Sequence, residues 1–339
     1  MYSFQNDYSE GAHPRILEAL GRTNLVQTSG YGCDPYTDEA VKLIRAQIGQ
    51  SEAQVHFLSG GTQTNLIAIS AFLRPHEAAI TADTGHINVH ETGAIEATGH
   101  KVLTAHSLDG KLTPQIIMPI LHAHCDEHMV KPRLVYISQS SEVGTCYNKV
   151  ELTALRDFCT DHNLLLYMDG ARLGSALACS DLTLADIARL TDAFYVGGTK
   201  NGALFGEALV IMNLPLAEDL RYIVKQRGGM LAKGRILSLQ FIELFRDGLY
   251  FEIAAHANRM ANTLREGIRH KGYKFLSDSP SNQMFPIFPD ELVQRLAAQF
   301  RFEVWNKPDE THTCIRLVTS WATQEDAVNA FLHALEMAD

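Results

Sequence analysis

The sequence has no two cysteines spaced CxxC, although six cysteines occur among its 339 residues. This absence argues against a zinc ribbon and against a thioredoxin-type redox pair, and it indicates reduced thiols in a large intracellular protein. No apolar run approaches the ~20 residues that cross a bilayer. The first residues lack a basic stretch followed by an apolar one, so we expect no signal peptide and a soluble, cytoplasmic protein.

Positive charge is also scarce. Lys and Arg number 29 against 39 Asp and Glu, and the formal net charge is −10. This balance argues against a surface for nucleic acid or anionic membranes, where clustered basic residues are expected. A small anionic ligand stays compatible with it, because one local cluster of donors can hold such a ligand. The length is sufficient for one large domain with a smaller companion.

Short apolar runs alternate with helix-like segments through the central two-thirds of the chain. Such alternation predicts an α/β fold with a mainly parallel sheet covered by helices on both faces. The predicted strands are residues 55–58, 78–82, 134–138, 164–168, 193–196 and 208–212, and the predicted helices include residues 66–73 and 150–162.

The pattern changes after about residue 245, which predicts a large domain at residues 1–245, including the N-terminal segment, and a small C-terminal α+β domain at residues 246–339. The predicted elements of the second part are a long helix at 249–271, strands at 274–276, 283–288, 302–305 and 313–317, and a last helix at 324–337.

Three segments follow predicted strands at the edge where ligands bind in parallel α/β sheets. Residues 59–65 (SGGTQTN) open a helix, and its free amides and glycines suit a phosphate. They match neither a P-loop nor a GxGxxG fingerprint, and a purely structural turn explains them equally well. Asp169, which ends another strand, can keep a pyridine nitrogen protonated, and Arg172 can pair with a phosphate or phenolate oxygen. An Asp that caps the next helix is the competing interpretation.

Lys200 follows two glycines and a threonine at the end of the fifth predicted strand. Most lysines are solvated surface residues, but a partly desolvated lysine amine can be neutral and form an imine. We interpret Gly197, Gly198 and Gly202 as permitting close packing against a planar ligand. A glycine-rich anion turn, an Asp and a Lys at three strand ends form the constellation of a pyridoxal phosphate (PLP) enzyme, with a Schiff base on Lys200.

The order and spacing of these segments resemble the threonine aldolase/β-eliminating lyase family of fold-type I PLP enzymes. The low-specificity L-threonine aldolase and phenylserine aldolase branch is nearest. The resemblance spans nearly the whole chain, and its most specific parts are the DGAR and GGTKNG segments. The matching segments are residues 31–35, 59–65, 85–86, 169–172, 198–202, 206–208 and 316–319.

The resemblance implies a PLP-dependent transferase-like fold with a seven-stranded, mainly parallel sheet. It also implies a homotetramer, a dimer of dimers, in which residues 31–34 complete a neighbour's site. Its site residues would be Gly61 and Thr62 at the phosphate, His86 on the pyridine face, Asp169 at the ring nitrogen, Lys200 at the imine, Arg172 near the phenolate or the substrate, Arg316 at the substrate carboxylate and, as a weaker candidate, Asn6 beside it.

The implied reaction is retro-aldol cleavage of L-β-hydroxy-α-amino acids (threonine, allo-threonine or phenylserine) to glycine and an aldehyde. Many relatives carry a histidine in the segment at residues 138–144, where this chain has Glu142 instead. The base at the β-hydroxyl is therefore unassigned, and His86 acting through a water is our interpretation. β-Elimination from an aromatic or cysteine-like amino acid is the alternative within PLP chemistry. A nucleotide-binding oxidoreductase or a noncatalytic α/β binding protein is the alternative outside it.

Two further polar segments are candidates for ligand sites. Residues 122–128 hold three histidines beside a cysteine and two acids, but they follow a helix-like stretch. We interpret them as a solvated helix end and predict no metal site. Residues 225–229 (KQRGG) either form a second anion loop near the mouth of the active site or contact no ligand.

Overall fold

The computed structural model describes residues 1–336. Its strands are β1 (Tyr2–Ser3), β2 (Gln54–Leu58), β3 (Glu77–Ala82), β4 (Val102–Ala105), β5 (Lys131–Ser138), β6 (Leu165–Asp169), β7 (Ala193–Gly197), β8 (Glu207–Ile211), β9 (Lys274–Phe275), β10 (Gln283–Met284), β11 (Pro286–Pro289), β12 (Phe300–Arg301), β13 (Glu303–Asn306) and β14 (His312–Val318). Its helices are α1 (Pro14–Thr23), α2 (Pro35–Ile48), α3 (Gly61–Phe72), α4 (His86–Val89), α5 (Pro114–Ala123), α6 (Lys149–Asp161), α7 (Leu173–Leu177), α8 (Leu184–Leu190), α9 (Leu220–Gln226), α10 (Arg235–Phe245), α11 (Leu249–His270), α12 (Asp290–Ala297) and α13 (Glu325–Glu336), with 3₁₀ turns at Glu96–Thr98 and Leu214–Ala217.

A seven-stranded sheet with the order β2-β8-β7-β6-β5-β3-β4 organises the larger part of the chain. Strand β8 is antiparallel to both of its neighbours, β2 and β7, and the remaining pairs are parallel. All strands except β8 therefore run in one direction, and their carboxyl ends meet at one edge. The predicted seven-stranded, mainly parallel sheet is confirmed.

The strands β3, β6, β7 and β8 of this sheet are buried on both faces, as their near-continuous apolar sequences require. In β6, Leu166 and Met168 belong to one hydrophobic cluster, whereas Leu165 and Tyr167 belong to the cluster on the opposite face. Helices cover both clusters, and this packing fixes the ends of the strands. The side chains that follow the strands are thus attached to a sheet that is held in place by helices on both faces.

The C-terminal part contains the 22-residue helix α11 and a five-stranded sheet in which β14 pairs with β10, β11 and β13. It has its own cluster of buried side chains, which Phe4 joins from the N-terminus. Strand β1 pairs in parallel with β12, so the first residues contact the C-terminal part. The division at residue 245 falls between α10 and α11 and stays a prediction.

Strand β4 was not predicted, because it has four residues at the sheet edge with alternating exposure, too short a pattern to stand out. The predicted strand at 283–288 is divided into β10 and β11. The predicted last helix matches α13, and its final residue, Met337, lies outside the described residues. Among residues 1–336, no helix has both the length and the apolar character that a membrane crossing requires.

Candidate active site

Asp169 ends β6 and is the most heavily hydrogen-bonded carboxylate at the carboxyl edge of the sheet. Its Oδ1 accepts from the Tyr195 hydroxyl (2.5 Å) and the Ala171 amide (3.0 Å). Its Oδ2 accepts from the Tyr136 hydroxyl (2.5 Å) and the Asn65 side-chain amide (2.9 Å). Burial alone would raise the pKa of Asp169, but the charge of His86 and these hydrogen bonds hold it below its usual value. The result is an ionised carboxylate in the protein interior.

A chain of hydrogen bonds connects Asp169 with His86. The Asn65 amide donates to both Asp169 and the buried Glu91 (2.8 Å), and Glu91 Oε1 lies 2.9 Å from His86 Nδ1. Burial lowers the pKa of His86, but the hydrogen bond to Glu91 and the charges of Glu142 and Asp169 outweigh it and raise that pKa. His86, at the first position of the short helix α4, is thus favoured in its protonated form.

Lys200 lies three residues after β7 and is half-buried. Desolvation, followed by the charge of Arg172, lowers the pKa of its amine, so the neutral, nucleophilic form is more populated than in a free lysine. Its Nζ lies 5.9 Å from the ring centre of Tyr8. The turn before it is fixed by Glu207 on β8, which accepts from the Thr199 hydroxyl at 2.7 Å.

The glycines before Lys200 pack against other segments of the chain. A Cβ on Gly197 would lie 2.5 Å from the Ala171 carbonyl oxygen, and a Cβ on Gly198 would lie 2.6 Å from that of Gly206. Both glycines therefore permit close packing of one chain segment on another. That Gly197, Gly198 and Gly202 also permit close packing against a planar ligand stays a prediction.

The predicted phosphate turn begins helix α3 at Gly61, after an extended Gly60 with no side-chain cap. The first amides of such a helix have no partner within it, and they favour an anion. A Cβ on Gly61 would lie 3.1 Å from the Tyr195 hydroxyl, which also donates to Asp169. The turn and the carboxylate are therefore neighbours through Tyr195. Thr62, beside Gly61, is exposed.

A cavity of about 330 Å³ brings five of the predicted residues together. They are Asn6, His86, Arg172, Lys200 and Arg316, and the further lining residues are Gln5, Tyr8, His90, Glu142 and Glu303.

Arg316, on β14, is the predicted carboxylate ligand and is only partly engaged by the chain. Its side chain is 11% exposed, and its Nη2 forms an ion pair with Glu303 on the neighbouring β13. Its buried Nε has no hydrogen-bond partner among residues 1–336. A buried guanidinium N–H without a partner is costly, and a substrate carboxylate would satisfy it.

Arg172 lines the cavity, but one edge of its guanidinium is already occupied. Its Nε and Nη2 donate to the two oxygens of Asp7 at 2.8 and 3.1 Å, and the Asn282 side chain donates to the same Asp7. Burial would raise the pKa of Asp7, but the charges of Arg172 and Lys200 lower it. Only the remaining N–H groups of Arg172 are available to a ligand.

Several residues of the site were not identified from the sequence: Asp7, Asn65, His90, Glu91, Tyr136, Tyr195 and Glu303. Two of them carried a usable signal. Asp7 adjoins the candidate Asn6, and Glu91 follows His86 by five positions, just after the short helix α4. The buried tyrosines carried none, since a tyrosine within an apolar strand predicts only burial.

The remaining predicted segments lie apart from this cavity. Residues 225–229 span the end of α9 and the turn after it, and Lys225 Nζ lies 4.6 Å from the ring centre of Tyr31. These two side chains line a separate surface cavity of about 710 Å³ with Arg221 and Tyr222. Most of residues 122–128 are exposed, at and beyond the end of α5. Within the described part of the chain, no three His, Cys, Asp or Glu side chains are arranged to hold a metal ion.

Comparisons with known proteins agree with this geometry. The family model described as "Beta-eliminating lyase" matches residues 10–288. The low specificity L-threonine aldolase of Pseudomonas sp. (strain NCIMB 10558) is 34% identical over 335 residues, which cover 96% of this chain and 94% of that protein. A solved threonine aldolase of Leishmania major is 49% identical, covers 100% of this chain and 99% of its own, and has a TM-score of 0.99.

The fold extends to more distant proteins. An aspartate aminotransferase of Thermus thermophilus, 16% identical, covers 100% of this chain and 92% of its own with a TM-score of 0.73. The predicted fold class, that of fold-type I PLP enzymes, is confirmed, and so is the resemblance drawn from the sequence segments.

Proposed function

Because the chain belongs to the beta-eliminating lyase family, we propose that it is a PLP-dependent carbon–carbon lyase. Its substrates are L-β-hydroxy-α-amino acids of the threonine, allo-threonine and phenylserine type, and its products are glycine and an aldehyde. The observation that carries the proposal is the cavity shared by Lys200, His86 and Arg316, close to the buried Asp169. Similarity to threonine aldolases over the whole chain supports the choice of reaction.

The described residues fit PLP. An interior carboxylate that is held ionised, Asp169, suits a cationic ring nitrogen. Each of its oxygens already accepts two hydrogen bonds, so the ring nitrogen must share an oxygen with a hydroxyl or amide donor. The first amides of α3, at Gly61 and Thr62, suit the phosphate. When bound, PLP supplies a conjugated ring that accepts electron density from the substrate Cα.

Lys200 and His86 would act on two parts of the cofactor, its aldehyde and its ring. Desolvation and the charge of Arg172 lower the pKa of Lys200, so its amine is neutral more often than that of a free lysine, and the neutral amine is the form that would bond covalently to an aldehyde. His86 covers the ring position with an imidazole that Glu91 orients through Nδ1. Its raised pKa makes it a proton-bearing group, which stabilises negative charge nearby.

Arg316 decides which bond of the substrate is broken, because it fixes the α-carboxylate and thereby the orientation of the bonds at Cα. Its unpaired Nε is the donor that a carboxylate would satisfy. Arg172 supplies the N–H groups that Asp7 leaves free, and Asn6 lies at the same cavity wall. Binding energy at the carboxylate is thus used to select the reacting bond.

Replacement of Lys200 by alanine tests the proposal. The Lys200→Ala variant, incubated with PLP and reduced with borohydride, should gain no covalent adduct in its intact mass, and it should release no aldehyde from L-threonine. The matched control is Lys42→Ala, an exposed lysine on α2, which should retain both properties. Covalent attachment in the Lys200→Ala variant would contradict the assignment of the lysine.

The same assay separates the rival β-elimination reaction. Glycine with an aldehyde is the product pair of retro-aldol cleavage, whereas pyruvate with ammonia is that of β-elimination. Pyruvate formed from a cysteine-like or aromatic substrate, without aldehyde from L-threonine, would replace the proposed reaction with its rival.

We also propose that the protein is a cytoplasmic homotetramer, a dimer of dimers with shared active sites. Tyr31 is 47% exposed, and with Arg221, Tyr222 and Lys225 it surrounds the surface cavity of about 710 Å³. Exposed aromatic side chains beside basic ones are typical of interfaces. Light scattering of the purified protein should give the mass of four chains, and the mass of a single chain would contradict this proposal.

A further inference from the structure

The cavity contains one acidic group that the roles above do not use. Glu142 is 8% exposed and lines the cavity with Lys200 and Arg316. Its carboxylate accepts no hydrogen bond and forms no ion pair with any residue in the described range 1–336. Its oxygens are not among the buried side-chain atoms that lack a partner, so they face the open cavity and are available to a ligand.

We propose that Glu142 is the base that accepts the proton of the substrate β-hydroxyl. The proposal rests on the proposed aldolase function and assigns the group that this reaction lacks. The charge of Glu142 contributes to raising the pKa of His86. It also opposes the lowering of the pKa of Lys200 and Arg316 that burial causes. Its carboxylate therefore lies among the groups that hold the cofactor and the substrate carboxylate.

The backbone that directly follows Glu142 is fixed to other parts of the chain. The Ser277 hydroxyl donates to the Val143 carbonyl at 2.7 Å, and the Ser279 hydroxyl donates to the Gly144 carbonyl at 3.0 Å. Gly144 has φ +80°, and a Cβ there would lie 2.3 Å from Ser279 Oγ, so only glycine permits this approach. A side chain without a partner on a fixed backbone is the arrangement that a positioned base requires.

The two histidines of the cavity are less suited to this role. The Nδ1 of His86 is already engaged with Glu91, and its raised pKa means that the ring keeps its proton to a higher pH than a free imidazole does. His90 has a lowered pKa, with burial as the first cause, but its ring is exposed and lies 5.5 Å from that of His86. It is better placed to exchange protons with water at the mouth.

The proton and electron balance of the step is simple. The Glu142 carboxylate takes the hydroxyl proton, and the electrons of the O–H bond form the new C=O bond. The Cα–Cβ bond breaks and leaves its electron pair on Cα, so the aldehyde departs. Glu142 is then a neutral acid that releases its proton to water, and one proton taken up from water at Cα completes glycine. No oxidant, reductant or metal takes part.

The Glu142→Gln variant of the holoenzyme tests the assignment, because it keeps the size of the side chain and removes its basicity. Aldehyde release from L-threonine should fall about a hundredfold, in the range of a lost general base. Exchange of the glycine α-proton with deuterium in D₂O, followed by proton NMR, should stay within about twofold, since glycine has no hydroxyl proton to remove. The affinity for PLP in an absorbance titration should be unchanged.

A second variant and a second residue keep the test decisive. Glu142→Asp restores a carboxylate on a shorter arm and should recover part of the lost cleavage rate. Equal losses of cleavage and glycine exchange in Glu142→Gln, or a loss of cleavage in His90→Asn alone, would overturn the proposal. Failure of the proposed function looks different, because the unmodified enzyme would then exchange the glycine proton but release no aldehyde.

Discussion

On one side of the cavity the chain pairs its own polar atoms, and on the other side it leaves them for a ligand. The ring side, which we define as Asp169 with Tyr136, Tyr195 and Asn65, has both carboxylate oxygens occupied by donors at 2.5 to 3.0 Å. All four side chains are buried. Such a network holds its charge and orientation before any ligand arrives.

The substrate side, which we define as Arg316, Glu142 and Glu303, is built in the opposite way. Two groups have no partner among residues 1–336, the Nε of Arg316 and the carboxylate of Glu142. Glu303 forms an ion pair with Arg316, but the Glu303 side chain is 42% exposed. In the proposed function, the chain would fix the position of the cofactor by itself, whereas the substrate would complete its own position. Variants on the two sides should therefore differ in kind as well as in size.

Asp169→Asn should have the largest effect on cofactor affinity, because each oxygen of the Asp169 carboxylate already accepts hydrogen bonds from two donors. In the parent protein these donors face carboxylate oxygens. The asparagine would place an N–H group against two of them and would remove the negative charge. Breaking a buried charged network of this kind costs about 3 kcal/mol. The affinity for PLP, measured by titration of the cofactor-free protein, should fall roughly a hundredfold.

The same variant should shift the titration of His86. The charge of Asp169 raises the pKa of His86, so its removal lowers that pKa, and the imidazole should lose its proton at a lower pH in an NMR titration. Asp186→Asn is the matched control, since Asp186 is also buried and accepts from Thr183 and Arg189 but lies on α8. It should lower the free energy of unfolding and leave PLP affinity unchanged. Unchanged PLP affinity in Asp169→Asn would remove the distinction between the two sides.

The two sides also differ in how far the sequence predicts them. Asp169, Lys200 and Arg316 follow or lie in strands whose apolar runs are visible, and short segments with a family resemblance surround them. Their meeting at one cavity follows from the parallel sheet, because the carboxyl ends of such strands share an edge. Element type and site location are therefore accessible from local patterns.

The pairing of polar atoms is not accessible in this way. Tyr136 and Tyr195 have the same periodicity whether their hydroxyls reach Asp169 or solvent, and only the register of β5, β6 and β7 decides. The bond from Arg172 to Asp7 joins residues 165 positions apart, so it depends on closure of the whole chain. The packing of Gly197 and Gly198 against other backbone segments was not predicted for the same reason.

Glu303→Gln should have the smallest effect on activity. The direction of the change in KM shows whether Glu303 competes with the substrate carboxylate for Arg316 or holds Arg316 in place for it. Glu303 neutralises Arg316 in the absence of substrate, and a substrate carboxylate must displace it. The pair is partly exposed, so its loss should free about 1 kcal/mol at most. The KM for L-threonine should therefore fall by about twofold to fivefold, with little change in kcat, because the removed interaction exists only before the substrate binds.

Glu310→Gln is the matched control, since it makes the same charge change at an exposed position outside the lining of the cavity. Its KM should equal that of the parent, which would exclude a general effect of net charge on substrate binding. A raised KM in Glu303→Gln would instead mean that Glu303 holds Arg316 in its binding orientation. In that case the substrate side would also be assembled before the ligand arrives, and the two sides of the cavity would differ only in exposure.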